Sequence, residues 1–161
     1  MQTFFPYDNY QQSIECLDKR RLGKQRVEAR QILQTINKIK THQLVKGWRN
    51  HPTIDMWFDY EDYLKQYYNH TLLVWARYGY QNIKLQPIIV SENVEQPWWL
   101  GQEMLHNSHR SNLLRKAIED PKLTSWYAQF AWDVLPSKGY IWPTRQHTLE
   151  LKGKGYFKVN E

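Results

Sequence analysis

Residues 53–78 contain neither glycine nor proline, and their apolar positions repeat every three or four residues. Ile54, Trp57, Leu64, Tyr68, Leu72 and Trp75 mark the stripe, with Tyr60 or Glu61 filling the gap. That period belongs to an amphipathic helix and not to a strand, whose side chains alternate. Pro52 suits a first helical turn, Asn50 or His51 can cap it, and Gly79 supplies a stop. The pattern predicts a helix from about Thr53 to Tyr78.

A second helical stretch runs from Tyr10 to about Ile39, after an extended aromatic start in which Phe5-Pro6 disfavours helix. Asp8 or Asn9 can cap it. Leu22, Ala29, Leu33 and Ile36 share one face, with Gln25 and Ile32 at its margin. Arg20, Lys24, Val27 and Gln31 lie opposite, and Glu28 sits to one side near Arg21 and Lys24. Gly23 marks a bend or a close approach. A third helix is expected from about Gln102 to Ile118. Pro121 interrupts it, and a short helix follows from Leu123 to Ala131. The run Pro87–Val90 could form a short strand, but no partner strand is legible. The expected fold class is all-α: a compact single-domain bundle of three main helices with long irregular connections. The expected division is a helical domain over 1–143 and a tail over 144–161, partly mobile and carrying Lys152, Lys154 and Lys158.

A chain of 161 residues is long enough for one core. The 8 Trp, 11 Tyr and 5 Phe must supply much of it, leaving some rings as surface platforms for bases. Cys16 is the sole cysteine, so no intrachain disulfide can form, which fits a reducing compartment. It lies beside Leu17 and reads as core. No apolar run approaches the roughly 18 residues of a membrane span. MQTFFPYDNY lacks a basic segment followed by an apolar one, so no signal peptide is expected and the cytoplasm is the default. A net charge of +6 favours polyanionic partners without identifying them.

Three segments carry chemistry. In LDKRRLGKQRVEARQIL, residues 17–33, the cations Lys19, Arg20, Arg21, Lys24, Arg26 and Arg30 face only Asp18 and Glu28. Such a helix can lie along a phosphate backbone, or be a solvated face with ion pairs such as Lys24 with Glu28. A carboxylate on a surface that binds a polyanion costs affinity unless it performs chemistry or pairs structurally. In GWRNHP, residues 47–52, Trp48, Arg49 and His51 cluster before a helix N-terminus, where backbone N–H groups favour phosphate; His51 could equally be a cap. In HNSHRSNLLRK, residues 106–116, His106, His109, Arg110, Ser111, Asn112, Arg115 and Lys116 can all reach phosphate or bases. His106 and His109 lack further ligands of metal-site spacing, so no metal is expected. No phosphate-binding glycine loop or nucleophile elbow is present, and no cofactor is expected.

Taken in order, LDKRRLGKQRVEARQIL, GWRNHPTIDMWFDYEDYL, HNSHRSNLLRK and YIWP resemble a bacterial and viral branch of the pyrimidine-dimer DNA glycosylase family, that of phage endonuclease V. The resemblance covers roughly residues 1–143. It implies an all-helical, monomeric, metal-free protein acting on damaged double-stranded DNA. It implies two linked activities: an N-terminal α-amine attacks the sugar C1′ and releases the base, and the resulting imine permits β-elimination. The family's glutamate in the first long helix falls on Glu28. Arg20, Arg21, Lys24 and Arg26 fall on its DNA-facing surface, and His51 near a histidine that precedes the second long helix. The remaining expected DNA contacts are Trp48, Arg49, His109, Arg110, Arg115 and Lys116. An α-amine ordinarily titrates at about 7.7–8.0, so a useful fraction is neutral and nucleophilic near neutral pH. Where the phage enzyme exposes a small residue after losing its initiator, this chain has Gln2. Its bulk implies that Met1 is retained and that the Met1 amine is the nucleophile. MQTFFP must then fold back onto Glu28. Two other readings stay open: a non-catalytic DNA- or RNA-binding module of the same fold, and a protein-interaction domain docking through Trp98, Trp99, Trp126 and Trp132.

Overall fold

The protein is described here by a computed structural model covering residues 1–152. Its helices are α1 (Tyr10–Glu15), α2 (Lys19–Lys40), α3 (Pro52–Trp57), α4 (Glu61–Arg77), α5 (Glu103–Glu119) and α6 (Pro121–Ala128). Two short strands, β1 (Tyr140–Pro143) and β2 (Leu149–Lys152), pair antiparallel with Ile141 opposite Leu151. The fold is therefore mostly helical. The all-α expectation missed the hairpin, whose second strand comes from the segment read as tail. Residues 153–161, with Lys154 and Lys158, lie outside the described residues.

Both long helices predicted near the N-terminus are broken in two. The first breaks at Cys16–Asp18, where the Asp18 carboxylate accepts from Arg21 N–H at 3.3 Å and starts α2 afresh. The second breaks at Phe58–Tyr60, where Tyr60 leaves the helical region at φ −131°. Periodicity cannot register either break, because the apolar stripe continues across them. Pro121 opens α6 instead of interrupting a helix, with Asp120 accepting from Lys122 N–H at 3.1 Å. The Pro87–Val90 run forms no strand. Ile88 instead exchanges backbone hydrogen bonds with the Asn69 side chain, at 2.8 and 2.7 Å.

Helices α2 and α4 pack face to face around Leu22, Ala29, Ile32, Leu33, Ile36, Leu64, Tyr67, Tyr68 and Leu72, all buried. Gly23 permits this approach: a Cβ there would lie 3.2 Å from the Trp75 ring.

Residues 2–6 thread through the interior without regular secondary structure, with Phe5 at the centre against Trp57, Tyr67 and Trp99. An irregular buried segment must satisfy its backbone without a ladder, and side chains from four helices do so. Gln2 N–H donates to Glu28 Oε2 at 3.1 Å, and Gln2 C=O accepts from Gln25 Nε2 at 2.9 Å. Phe4 N–H donates to Gln25 Oε1 at 3.0 Å, and the Tyr67 hydroxyl reaches Phe4 C=O at 3.2 Å. His109 Nδ1 accepts from Phe5 N–H, and His106 Nδ1 donates to Phe5 C=O, both at 2.7 Å. Arg110 Nε donates to Pro6 C=O at 2.6 Å, and Ser13 Oγ serves both Tyr7 backbone groups at 3.1 Å.

Candidate active site

The threaded segment delivers Met1 to a pocket of about 360 Å³. Helix α2 supplies one wall through Arg20, Arg21, Lys24, Gln25 and Glu28. The end of α5 adds Lys116 and Glu119, with Asp120 just beyond, and β1 adds Tyr140. Arg20 and Lys24 are exposed, whereas Glu28 is half-buried. Of the two outer carboxylates, Glu119 is paired with Arg115 at 3.1 Å.

Met1 and Glu28 meet here. The Gln2 N–H to Glu28 Oε2 bond sits one peptide unit from the first residue, so covalent geometry keeps the α-nitrogen within about 7 Å of that oxygen. The Met1 side chain is anchored opposite, its sulfur 3.9 Å from the Thr53 hydroxyl.

His51 caps α3, Nδ1 accepting from Thr53 N–H at 3.1 Å. Burial, then the positive N-terminus, then Lys152 push its pKa down to about 4. A neutral ring with Nδ1 accepting carries its proton on Nε2. Trp142 and Trp48 flank the ring edge-to-face, at 5.7 and 5.4 Å. Trp48 is 53% exposed and held at φ +48°, a strained conformation for a bulky side chain. With exposed Arg49 it lines a shallow surface cavity beside the pocket.

Lys116 is half-buried against Arg21, Arg115 and Lys24. Burial first, then those cations in that order, lower its pKa. Burial pushes the Tyr140 phenol up to about 12, so it stays protonated. Among the described residues, no three His, Cys, Asp or Glu side chains are grouped to hold a metal ion.

Other expected DNA contacts stand elsewhere. Arg26 turns toward α4, stacked on Trp75 at 4.2 Å and bonded to Asn82 at 2.7 Å. His109 is fully buried, and its ring reaches no surface. Arg110 is spent on Pro6, Glu103 and Asn107. Arg115 is spent on Ser137, Glu119 and Asn112. The segment 106–116 thus builds the N-terminal clamp and the α5 scaffold, and Lys116 alone of its cations lines the pocket. Of the tryptophans weighed as a docking surface, Trp99 is buried, Trp126 donates to Cys16 C=O at 2.8 Å and Trp132 to the Tyr7 hydroxyl at 3.0 Å. Trp98 stacks on His147 at 5.1 Å.

Sequence reasoning gave Gln2 a part only in retaining Met1, gave Tyr140 no role, and placed Gln25 only at the edge of a stripe. A glutamine at an apolar margin was the one available signal that a buried polar role existed there.

Residues 1–86 match the family profile described as pyrimidine dimer DNA glycosylase. The chain belongs to that family. No curated protein and no solved structure matches it. The matched part carries Met1, Gln2, Glu28 and His51, and it makes DNA the substrate and base excision the class of chemistry. Lys116 and Tyr140, beyond residue 86, complete the pocket of this glycosylase-family chain.

Proposed function

We propose that this protein excises pyrimidine dimers from duplex DNA and nicks the resulting abasic strand, with the Met1 α-amine as nucleophile and Glu28 as its carboxylate partner. The observation that carries this reading is the Gln2 N–H to Glu28 Oε2 bond, which ties the first peptide unit to the carboxylate inside a cation-walled pocket.

The neutral amine attacks C1′, forming a C1′–N bond as the glycosidic bond breaks and its electron pair leaves with the base. Loss of the amine proton and opening of the sugar ring give an imine. Glu28 then takes a C2′ proton, and the 3′-phosphate oxygen leaves with the C3′–O pair. Before that, an anionic Glu28 stabilises the cationic sugar or imine. Arg20, Arg21, Lys24 and Lys116 hold the phosphates flanking the lesion. Trp48, Arg49 and His51 form a neighbouring contact, the exposed indole offering a face for an unstacked base. His51, neutral above about pH 4, serves as an Nε2–H donor and adds no charge to the groove. The protein works as a monomer without a metal.

Borohydride added during reaction with UV-irradiated duplex tests this. A covalent protein–DNA adduct is expected with damaged DNA and none with undamaged duplex. Glu28→Gln should bind the damaged duplex within about threefold of wild type while losing about 100-fold or more in turnover. Binding without any adduct would leave a DNA-binding module in place of an enzyme.

A further inference from the structure

We infer that the Gln2 carboxamide is a hydrogen-bond donor to O2 of the pyrimidine that leaves, a role resting on the glycosylase reading above. Gln2 is only 7% exposed and lines the pocket with Met1 and Glu28. Its orientation is fixed, because Oε1 accepts from Thr3 N–H at 2.8 Å and an amide nitrogen could not. Its backbone is held on both sides by Glu28 and Gln25. Nε2 is therefore placed, buried, and without a hydrogen-bond partner among the described residues. Buried donors are normally paired, so an unpaired one on a residue that lines the pocket points to a ligand acceptor.

The chemistry selects which acceptor. Gln2 is bonded to the residue whose amine attacks C1′, so the acceptors within its reach are those around C1′: the sugar O4′ and the base O2. As the glycosidic bond breaks, O4′ loses electron density toward C1′, and a hydrogen bond to it weakens. The bond's electron pair passes into the pyrimidine ring and onto O2, and a hydrogen bond to O2 strengthens. Only the second contact is stronger in the transition state than in the ground state. Gln2 transfers no proton; the departing pyrimidine anion takes one from water.

Base release and strand nicking separate this role from a structural one. Duplexes carrying either a thymine dimer or a preformed abasic site are compared in single turnovers with wild type, Gln2→Glu and Gln2→Met. Glutamate keeps the acceptor for Thr3 N–H and removes the donor; methionine fills the space without either. Both are bulky enough to keep Met1, which mass measurement verifies. The expected result is base release slowed by about 100-fold with nicking of the abasic duplex within about threefold of wild type. Parallel loss on both substrates, or unchanged base release, overturns the inference. A wild-type protein inert on both substrates overturns the glycosylase reading and this inference with it.

Discussion

Phe5 is gripped from both sides by histidines that must stay neutral. His109 accepts from its N–H through Nδ1, so protonation would set a donor against a donor. Burial first and His106 second push the His109 pKa from its ordinary 6.5 down to about 3, and burial lowers His106 as well. The unfolded chain takes up the His109 proton near pH 6.5 while the folded one resists until about 3. The stabilisation is thus complete above pH 6.5 and is lost as pH falls toward 3. Urea unfolding at pH 7.5 and 5.0 should show a loss of about 2 kcal/mol from His109. His109→Asn, which keeps an acceptor for Phe5 N–H without titrating, should flatten that slope. His109→Leu should cost about 1–3 kcal/mol for the stranded N–H at pH 7.5, and about 2 kcal/mol less than that at pH 5.0, where wild type has already lost the His109 contribution. At this scale the sequence was misleading. His109 and Arg110 look like phosphate ligands because donors on a basic helix usually face solvent. Their partners, Phe5 and Pro6, stand 104 positions away, a separation no local pattern reports.

Helix α2 carries one wall of the pocket, and its start decides where Glu28 and the cations point. Asp18 fixes that start three ways: it accepts from Arg21 N–H, pairs with the Arg21 guanidinium at 3.2 Å, and accepts from the buried Tyr127 hydroxyl at 2.5 Å. Asp18→Ala removes a cap and strands the Tyr127 hydroxyl, for a combined loss of about 2–4 kcal/mol in thermal or denaturant unfolding. Asp18→Asn, whose single carbonyl oxygen can accept from the Arg21 N–H or from the Tyr127 hydroxyl but not from both, should recover only part of it. The helical stripes of α2 and α4 were legible because burial on one face writes a 3.6-residue period into the sequence. Gly23 was legible as either a bend or a close approach; it is a close approach, and a Cβ there would lie 3.2 Å from the Trp75 ring. The breaks before α2 and after α3 were not legible, because a cap and a buried Tyr60 interrupt the backbone without interrupting the stripe. The β1–β2 hairpin escaped for a different reason: one four-residue strand is buried along almost its whole length and the other exposed along almost its whole length, so neither writes an alternation into the sequence.

Across the whole molecule, one architectural feature underlies the proposed function: the N-terminal segment runs through the core instead of over the surface. Four helices spend buried polar side chains on holding it, and the result is a first residue fixed beside Glu28. The pairing of Met1 with Glu28 was anticipated through resemblance, whereas the means of holding it was not, since Gln25, Tyr67, His106 and His109 converge only in three dimensions. The same convergence brings a rival amine to the pocket. Lys116 has a lowered pKa and lines the same wall, and Lys24 stands nearby. Peptide mapping of the borohydride-trapped adduct, formed with protein carrying no residue ahead of Met1, decides between them. Attachment at the Met1 α-nitrogen is the predicted result. Attachment at the side-chain nitrogen of Lys116 or Lys24 would contradict the account, because the threaded segment would then be scaffolding and not the source of the nucleophile.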